Sequence, residues 1–199
     1  MMGADLAMKK DSETQFRFRM TATDPKATKL NWEINLYEPK LIQDTTVESR
    51  RPNENNVYGN IAFLGETPDH GVQYLYSRFD LDKIKLDSTK RAKRVFLHVP
   101  CYNTWGSQKL CAASPIRRFC SFGSNWANKM PTTDFSVKYR WQNGCFVFDL
   151  SDYMLSESGK WKENTGIVLR LAGAKDVLIL ATADNYNMPQ MIEIEYERE

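Results

Sequence analysis

A chain of 199 residues is one large domain or at most two small ones, and it can bury a core without help from metal or disulfide. Its 27 Lys and Arg against 25 Asp and Glu leave a net charge of +2, which excludes overall charge as a steer toward nucleic acid or membrane and leaves only local patches. Five Trp, nine Tyr and ten Phe stand against two His, a composition that favours strands and removes most histidine-based zinc and acid–base chemistry.

In chain order, the opening MMGADLAMKKDSET is charged and has no hydrophobic segment, so a secretory signal is not expected, and residues 1–14 read as a flexible N-terminus. Gln15 to Thr23 alternates Phe16, Phe18 and Met20 with Arg17 and Arg19, and Leu30, Trp32, Ile34 and Leu36 alternate with Asn31, Glu33 and Asn35 until Pro39. These two strands form an N-terminal extension over residues 15–43. Further strands are read at Ile61 to Leu64, Gln73 to Leu81 and Arg94 to Val99, the last carrying Val95, Leu97 and Val99 on one face. Lys138 to Trp141 and Cys145 to Leu150 flank Asn143-Gly144, whose positive φ angles suit a type I′ hairpin turn. Ser151 is placed to cap a short helix that Gly159 ends. Ile167 to Leu171, Val177 to Ala181 and Met191 to Tyr196 complete the strands. So many strands with one short helix predict an all-β fold, a two-sheet antiparallel sandwich with its main domain over residues 44–199.

No apolar run approaches the ~20 residues of a membrane helix, so no span is expected. Cys101, Cys111, Cys120 and Cys145 contain no C-x-x-C pair and read either as thiols or as disulfides around the 101–120 segment, with the connectivity open. His70 lies in a Pro-Asp-His-Gly turn and reads as a solvated loop residue. His98 lies opposite the Val95, Leu97, Val99 face, exposed or packed on a second sheet. Glu193, Glu195, Glu197 and Glu199 read as the solvent face of the last strand. None of this assembles a nucleophile, base or metal set, so the chain reads as a non-enzyme unless a pocket brings His70 or His98 against a carboxylate.

Several landmarks occur in a recurring order: DTTVESRRPNENNVYG at Asp44 to Gly59, YSRFDLDKI at Tyr76 to Ile84, SNWANKMP at Ser124 to Pro131, VFDLSDYM at Val147 to Met154, then Trp161, TGIVLRL at Thr165 to Leu171 and ADNYNMPQMIEIEY at Ala183 to Tyr196. Over about three quarters of the chain this order resembles the DNRLRE-type domain, a jelly-roll β-sandwich related to carbohydrate-binding modules. The resemblance implies a sandwich with jelly-roll topology, a structural role for Trp126, and a protein placed outside the cell or on a surface. Residues 1–43, the four cysteines and the enlarged 101–123 segment depart from the pattern. Locally, Asp149 is suited to accept backbone N–H groups where strand becomes helix, Asp80 to bind backbone or an Arg, and Gly59 and Gly166 to fit tight or positive-φ geometry.

Two functions follow as expectations. The first is a non-catalytic binding or adhesion module for carbohydrate, because sugar C–H faces stack on aromatic rings while hydroxyls need Asn or Arg. Its candidate residues are Tyr102, Asn103, Trp105, Arg117, Arg118 and Trp126, and an acidic polysaccharide could meet the basic run of Lys83, Lys85, Lys90, Arg91, Lys93 and Arg94. Nucleic acid is not expected, since no reading motif accompanies that run. The second is a structural assembly protein, such as a virion decoration or fibre, spore-coat or filament subunit, forming homo-oligomers. No cofactor is expected other than a structural calcium, for which Asn55, Asn56 and Asp184 offer hard oxygen ligands.

Overall fold

The computed structural model describes residues 4–12, 15–22, 32–37, 41–103, 111–117, 123–131, 137–163, 165–171 and 177–197. Strands β1 (Ala4–Ser12), β2 (Gln15–Ala22) and β3 (Trp32–Tyr37) form a three-stranded meander in the order β1-β2-β3, and β3 lies against the last strand, β13 (Met191–Tyr196). Sequence reading places two strands in this region. The additional one, β1, lacks the β-branched alternation that marks a strand, and its register is set by β2, with Leu6 opposite Met20 and Met8 opposite Phe18.

The remaining strands are β4 (Ile42–Glu48), β5 (Ile61–Thr67), β6 (Gly71–Phe79), β7 (Ala92–Pro100), β8 (Cys111–Arg117), β9 (Tyr139–Gln142), β10 (Cys145–Asp149), β11 (Thr165–Leu171) and β12 (Leu178–Ala181). They make an all-β sandwich. One sheet has the order β13-β7-β10-β9; the other runs β12-β5-β6-β11-β8, with β4 also paired to β6. All the described pairings are antiparallel. Strand β4 opens the sandwich two residues before the boundary read from the sequence, and β8 falls inside the enlarged 101–123 segment, where no strand is read from the sequence. Pro115 explains why β8 is hard to read. It lacks an N–H donor, which an edge strand tolerates, and β8 is the edge of its sheet.

One contiguous core fills the space between the sheets. Val95, Leu97, Val99, Phe146, Phe148, Ile192 and Ile194 face inward from one side, and Leu64, Leu75, Phe79, Ile167, Leu169, Leu178 and Leu180 from the other. Phe146 meets Trp141 and Tyr139 edge-on, with ring centroids 5.0 and 5.3 Å apart. Each such aromatic stabilises the fold by about 1.5–3 kcal/mol through burial, with stacking geometry adding further. Asn143 (φ 51°) and Gly144 (φ 78°) form the expected two-residue turn between β9 and β10. At Gly166 a Cβ would collide with the Ser77 carbonyl of β6, so glycine is required there; at Gly59 nothing approaches closely, and tight geometry is not the reason for that glycine.

The single turn of helix, α1 (Ser151–Met154), starts at Leu150 without a side-chain cap. Ser151 Oγ instead accepts the Val95 N–H (3.0 Å) and donates to Asp149 Oδ1 (2.5 Å), because the strand-to-helix turn faces β7. Asp149 also accepts the Ser151 N–H at 3.1 Å, as its position leads one to expect. Gly159 belongs not to the helix end but to the following turn, where Ser156 N–H donates to the Lys160 carbonyl. No helix among the described residues is long and apolar enough to cross a membrane.

Candidate functional site

Among the described residues, the large apolar side chains left in solvent are Tyr186 (100% exposed), Tyr58 (79%), Met188 (41%) and Tyr102 (37%). They lie far apart in sequence, on segments 57–60, 101–103 and 182–190, yet these segments are tied to one another. Buried Asn185 is the centre of the tie: its Nδ2 donates to the Asn60 carbonyl (2.8 Å), and its Oδ1 accepts the Tyr102 hydroxyl (3.1 Å) and the N–H groups of Asn187 (3.1 Å) and Met188 (3.0 Å). Thr182 adds a second tie, donating through its hydroxyl to the Gly59 carbonyl (2.7 Å) and through its N–H to that of Asn60 (3.3 Å). Tyr102 N–H donates to Ile179 O of β12 at 2.8 Å. The result is a rim of three tyrosines and a methionine on loops whose backbones are cross-linked by buried amides and hydroxyls, so the exposed rings stand on a firm base.

Of the residues expected to bind, Tyr102 belongs to this rim. Asn103 does not present its amide to a ligand: Nδ2 donates to the Val177 carbonyl (2.5 Å) and Oδ1 accepts the Ile179 N–H (2.9 Å), so it docks its segment onto the start of β12. Trp126 packs on Tyr74 (5.2 Å between centroids) and against a small cluster of Val47, Tyr76, Ile116 and Val168 on the outer face of the six-stranded sheet. Lys129 Nζ sits 4.0 Å over the same ring. Trp105 and Arg118 lie outside the described residues, and Arg117 is described as the Cα partner of Thr165 in the β8–β11 pairing. Of the residues considered for calcium, Asn55 Nδ2 donates to the Ser124 carbonyl while its Oδ1 accepts the Val57 N–H, and Asn56 pairs with Thr46 in a β-bridge. Asp184 is exposed at the rim, its carboxyl pushed upward by partial burial. No cluster of three or more His, Cys, Asp or Glu side chains able to hold a metal occurs among the described residues.

The basic run is paired rather than bare. Lys83 meets Asp80 at 2.9 Å, Lys90 meets Asp87 at 3.9 Å, Arg91 meets Glu197 at 2.9 Å and Arg94 meets Glu195 at 4.0 Å. Lys85 and Lys93 are exposed. The first residues of β7 also line an open cleft of about 580 Å³, where Arg91, Lys93 and Lys162 face Asp152, Glu157 and Glu197. Arg91 further donates to the Glu157 carbonyl and Lys162 to that of Asp152. The cleft carries both signs of charge, and no aromatic ring lines it.

Both histidines are partnered by carboxylates, which corrects the solvated reading of His70. Its Nδ1 lies 2.7 Å from Glu48 Oε2, its ring stacks on Phe63 at 5.5 Å, and Glu48 is 1% exposed and also held by Gln73 Nε2 at 3.2 Å. His98 Nε2 lies 2.6 Å from Glu193 Oε2 across the β7–β13 pair. Glu193 is thus buried rather than on a solvent face, covered beside Phe96, whose ring Arg140 overlies at 4.7 Å. Neither histidine lines the mixed-charge cleft at the start of β7. The carboxylates orient the rings: the Glu48–His70 pair joins the end of β4 to the turn between β5 and β6, and the Glu193–His98 pair lies across β7 and β13.

Tyr58, Tyr186 and Met188 are the site residues that sequence reasoning passed over. The available signal was a pair of similar turns, NNVYGN and DNYNMP, each setting a tyrosine among Asn residues that favour turns. No protein-family model matches the chain, and no curated protein is similar to it in sequence.

Proposed function

We propose that this chain is a non-catalytic binding module that recognises carbohydrate through the rim of Tyr58, Tyr102 and Tyr186. The observation that carries the reading is that the large exposed apolar side chains of the described residues all fall on three loops tied together by Asn185 and Thr182. Exposed rings on a firm base are what a saccharide's C–H faces need, and the exposed Asp184 and Asn187 offer oxygen and amide partners for hydroxyls. The resemblance to DNRLRE-type domains, with their kinship to carbohydrate-binding modules, supports the same reading. Charge pairing along Lys83 to Arg94 favours a neutral glycan over an acidic one, because paired surface cations contribute little net attraction. A glycan microarray followed by calorimetry on the best ligand tests the reading. Binding weakened by Tyr186→Ala supports it, and an array with no ligand, or a ligand insensitive to all three tyrosines, overturns it.

A second reading, a structural assembly protein, rests on the N-terminal meander. That meander is a sheet of its own with β1 at its edge, and an edge strand offers unpaired backbone groups to another copy. Light scattering of the full chain and of a chain lacking residues 1–40 separates the two: assembly that disappears with the meander supports it, and a monomer in both cases removes it.

A further inference from the structure

The segment that carries Tyr186 and Met188 is closed at its base by one acid, Asp44 of β4. Asp44 Oδ2 accepts the Ala183 N–H at 2.5 Å and lies 3.4 Å from Gln190 Nε2, so a single carboxyl oxygen reaches both ends of the 182–190 segment. Gln190 is itself fixed: its Oε1 accepts the Ser77 hydroxyl (2.9 Å) and its Nε2 donates to the Ala181 carbonyl (3.2 Å). The other carboxyl oxygen, Oδ1, is buried with no hydrogen-bond partner. Among the described residues no cation pairs with the group. Strand β6 contributes the Ser77 hydroxyl, already committed to Gln190, and the loop contributes the Ala183 N–H, the Gln190 amide and the like-charged Asp184.

We propose that Asp44 is a pH-sensitive latch on the tyrosine rim: neutral, it clamps both ends of the 182–190 segment, and ionised, its uncompensated charge loosens that segment and weakens ligand binding. The inference rests on the rim being the binding surface, while the latch itself is a property of the unliganded protein. Burial pushes the Asp44 carboxyl up to about 7; the Ala183 N–H opposes this shift and repulsion from Asp184 adds to it. Asp44 is 4% exposed and its Oδ1 is unpartnered, so a full carboxylate charge would be met there only by the two N–H groups at Oδ2, and burial makes the uncharged acid the less costly form. The charged form therefore appears close to neutrality, in a place where it is held by one N–H and one distant amide.

The test is a carboxyl-carbon NMR titration of Asp44 in the full, unliganded chain from about pH 5 to 9, with the amide signals of residues 182–190 followed in parallel. A midpoint near neutrality, shared by the Ala183 amide and its loop neighbours, supports the latch. Asp184→Asn should lower that midpoint, and Asp44→Asn should flatten the response of the loop amides. A midpoint near about 4, or a midpoint near 7 with loop amides that stay still, overturns it. Because the NMR arm needs no ligand, it stands or falls separately from carbohydrate recognition. Where a ligand is found, its affinity should fall several-fold from about pH 6 to about pH 8.5 in the native chain and stay level in Asp44→Asn.

Discussion

Strand β7 joins two unlike ends of the molecule. At its start, Arg91, Lys93, Asp152, Glu157, Lys162 and Glu197 make a cleft of mixed charge; roughly 25 Å on, just beyond Pro100, Cys101 and Tyr102 enter the tyrosine rim. The cleft is held by solvent-exposed ion pairs such as Arg91–Glu197, which are screened by salt and contribute little to stability. The rim is held by buried side-chain amides and hydroxyls bonded to backbone, which are directional and insensitive to salt. The rim is therefore the more firmly fixed of the two, whereas the cleft is held by pairs that salt weakens.

The largest expected way to break this contrast is pH. Asp44 has a folded-state value of about 7 against an ordinary 3.8, so its neutral form is favoured by folding. The associated stability is fully present below about 3.8 and is lost as pH rises through about 7, at a cost approaching about 4 kcal/mol. Urea unfolding at pH 4 and 9, in the native chain and in Asp44→Asn, measures this, and the substitution should remove most of the difference. Next in size, Asn185→Ala leaves the Asn60 carbonyl with the Thr182 N–H alone and takes the acceptor from the Tyr102 hydroxyl and two loop N–H groups, and it should cost about 3 kcal/mol in the same assay. Tyr186→Ala should change stability by less than about 0.5 kcal/mol, since the side chain is fully exposed, while weakening saccharide binding about three- to tenfold by calorimetry. The smallest effect is expected at the other end: Glu197→Gln should shift unfolding by under about 0.5 kcal/mol, the more so in salt, and leave saccharide binding unchanged. A saccharide affinity that responds to Glu197→Gln but not to Tyr186→Ala would reverse the assignment of the two ends.

Much of the fold is legible in local sequence because burial on one face imposes a period of two. Val95, Leu97 and Val99, or Phe146 and Phe148, announce their strands and their inward face, and Asn143-Gly144 announces its hairpin. Strands β1 and β8 escape for the complementary reason. The register of β1 is set by its partner, and β8 is an edge strand interrupted by Pro115, so neither shows an unbroken alternation. The candidate site is less legible still. Tyr102 stands out in its Ser- and Asn-rich setting, but Asn103 beside it, equally suited by chemistry, is committed to β12, and Trp126 to Tyr74.

The sequence by itself determines that this chain is a β-rich domain with an aromatic core, few histidines and no strong overall charge, because composition and alternation act over a few neighbouring residues. Only the tertiary structure decides which polar and aromatic groups remain available. It pairs Lys83, Lys90, Arg91 and Arg94 with carboxylates, sets His70 against Glu48 and His98 against Glu193, and brings Tyr58, Tyr102 and Tyr186 onto loops tied by one asparagine. Those partners lie up to more than a hundred residues away along the chain, as Asp44 and Ala183 do, and the hydrogen bonds and charges that join them depend on distances that local sequence does not carry.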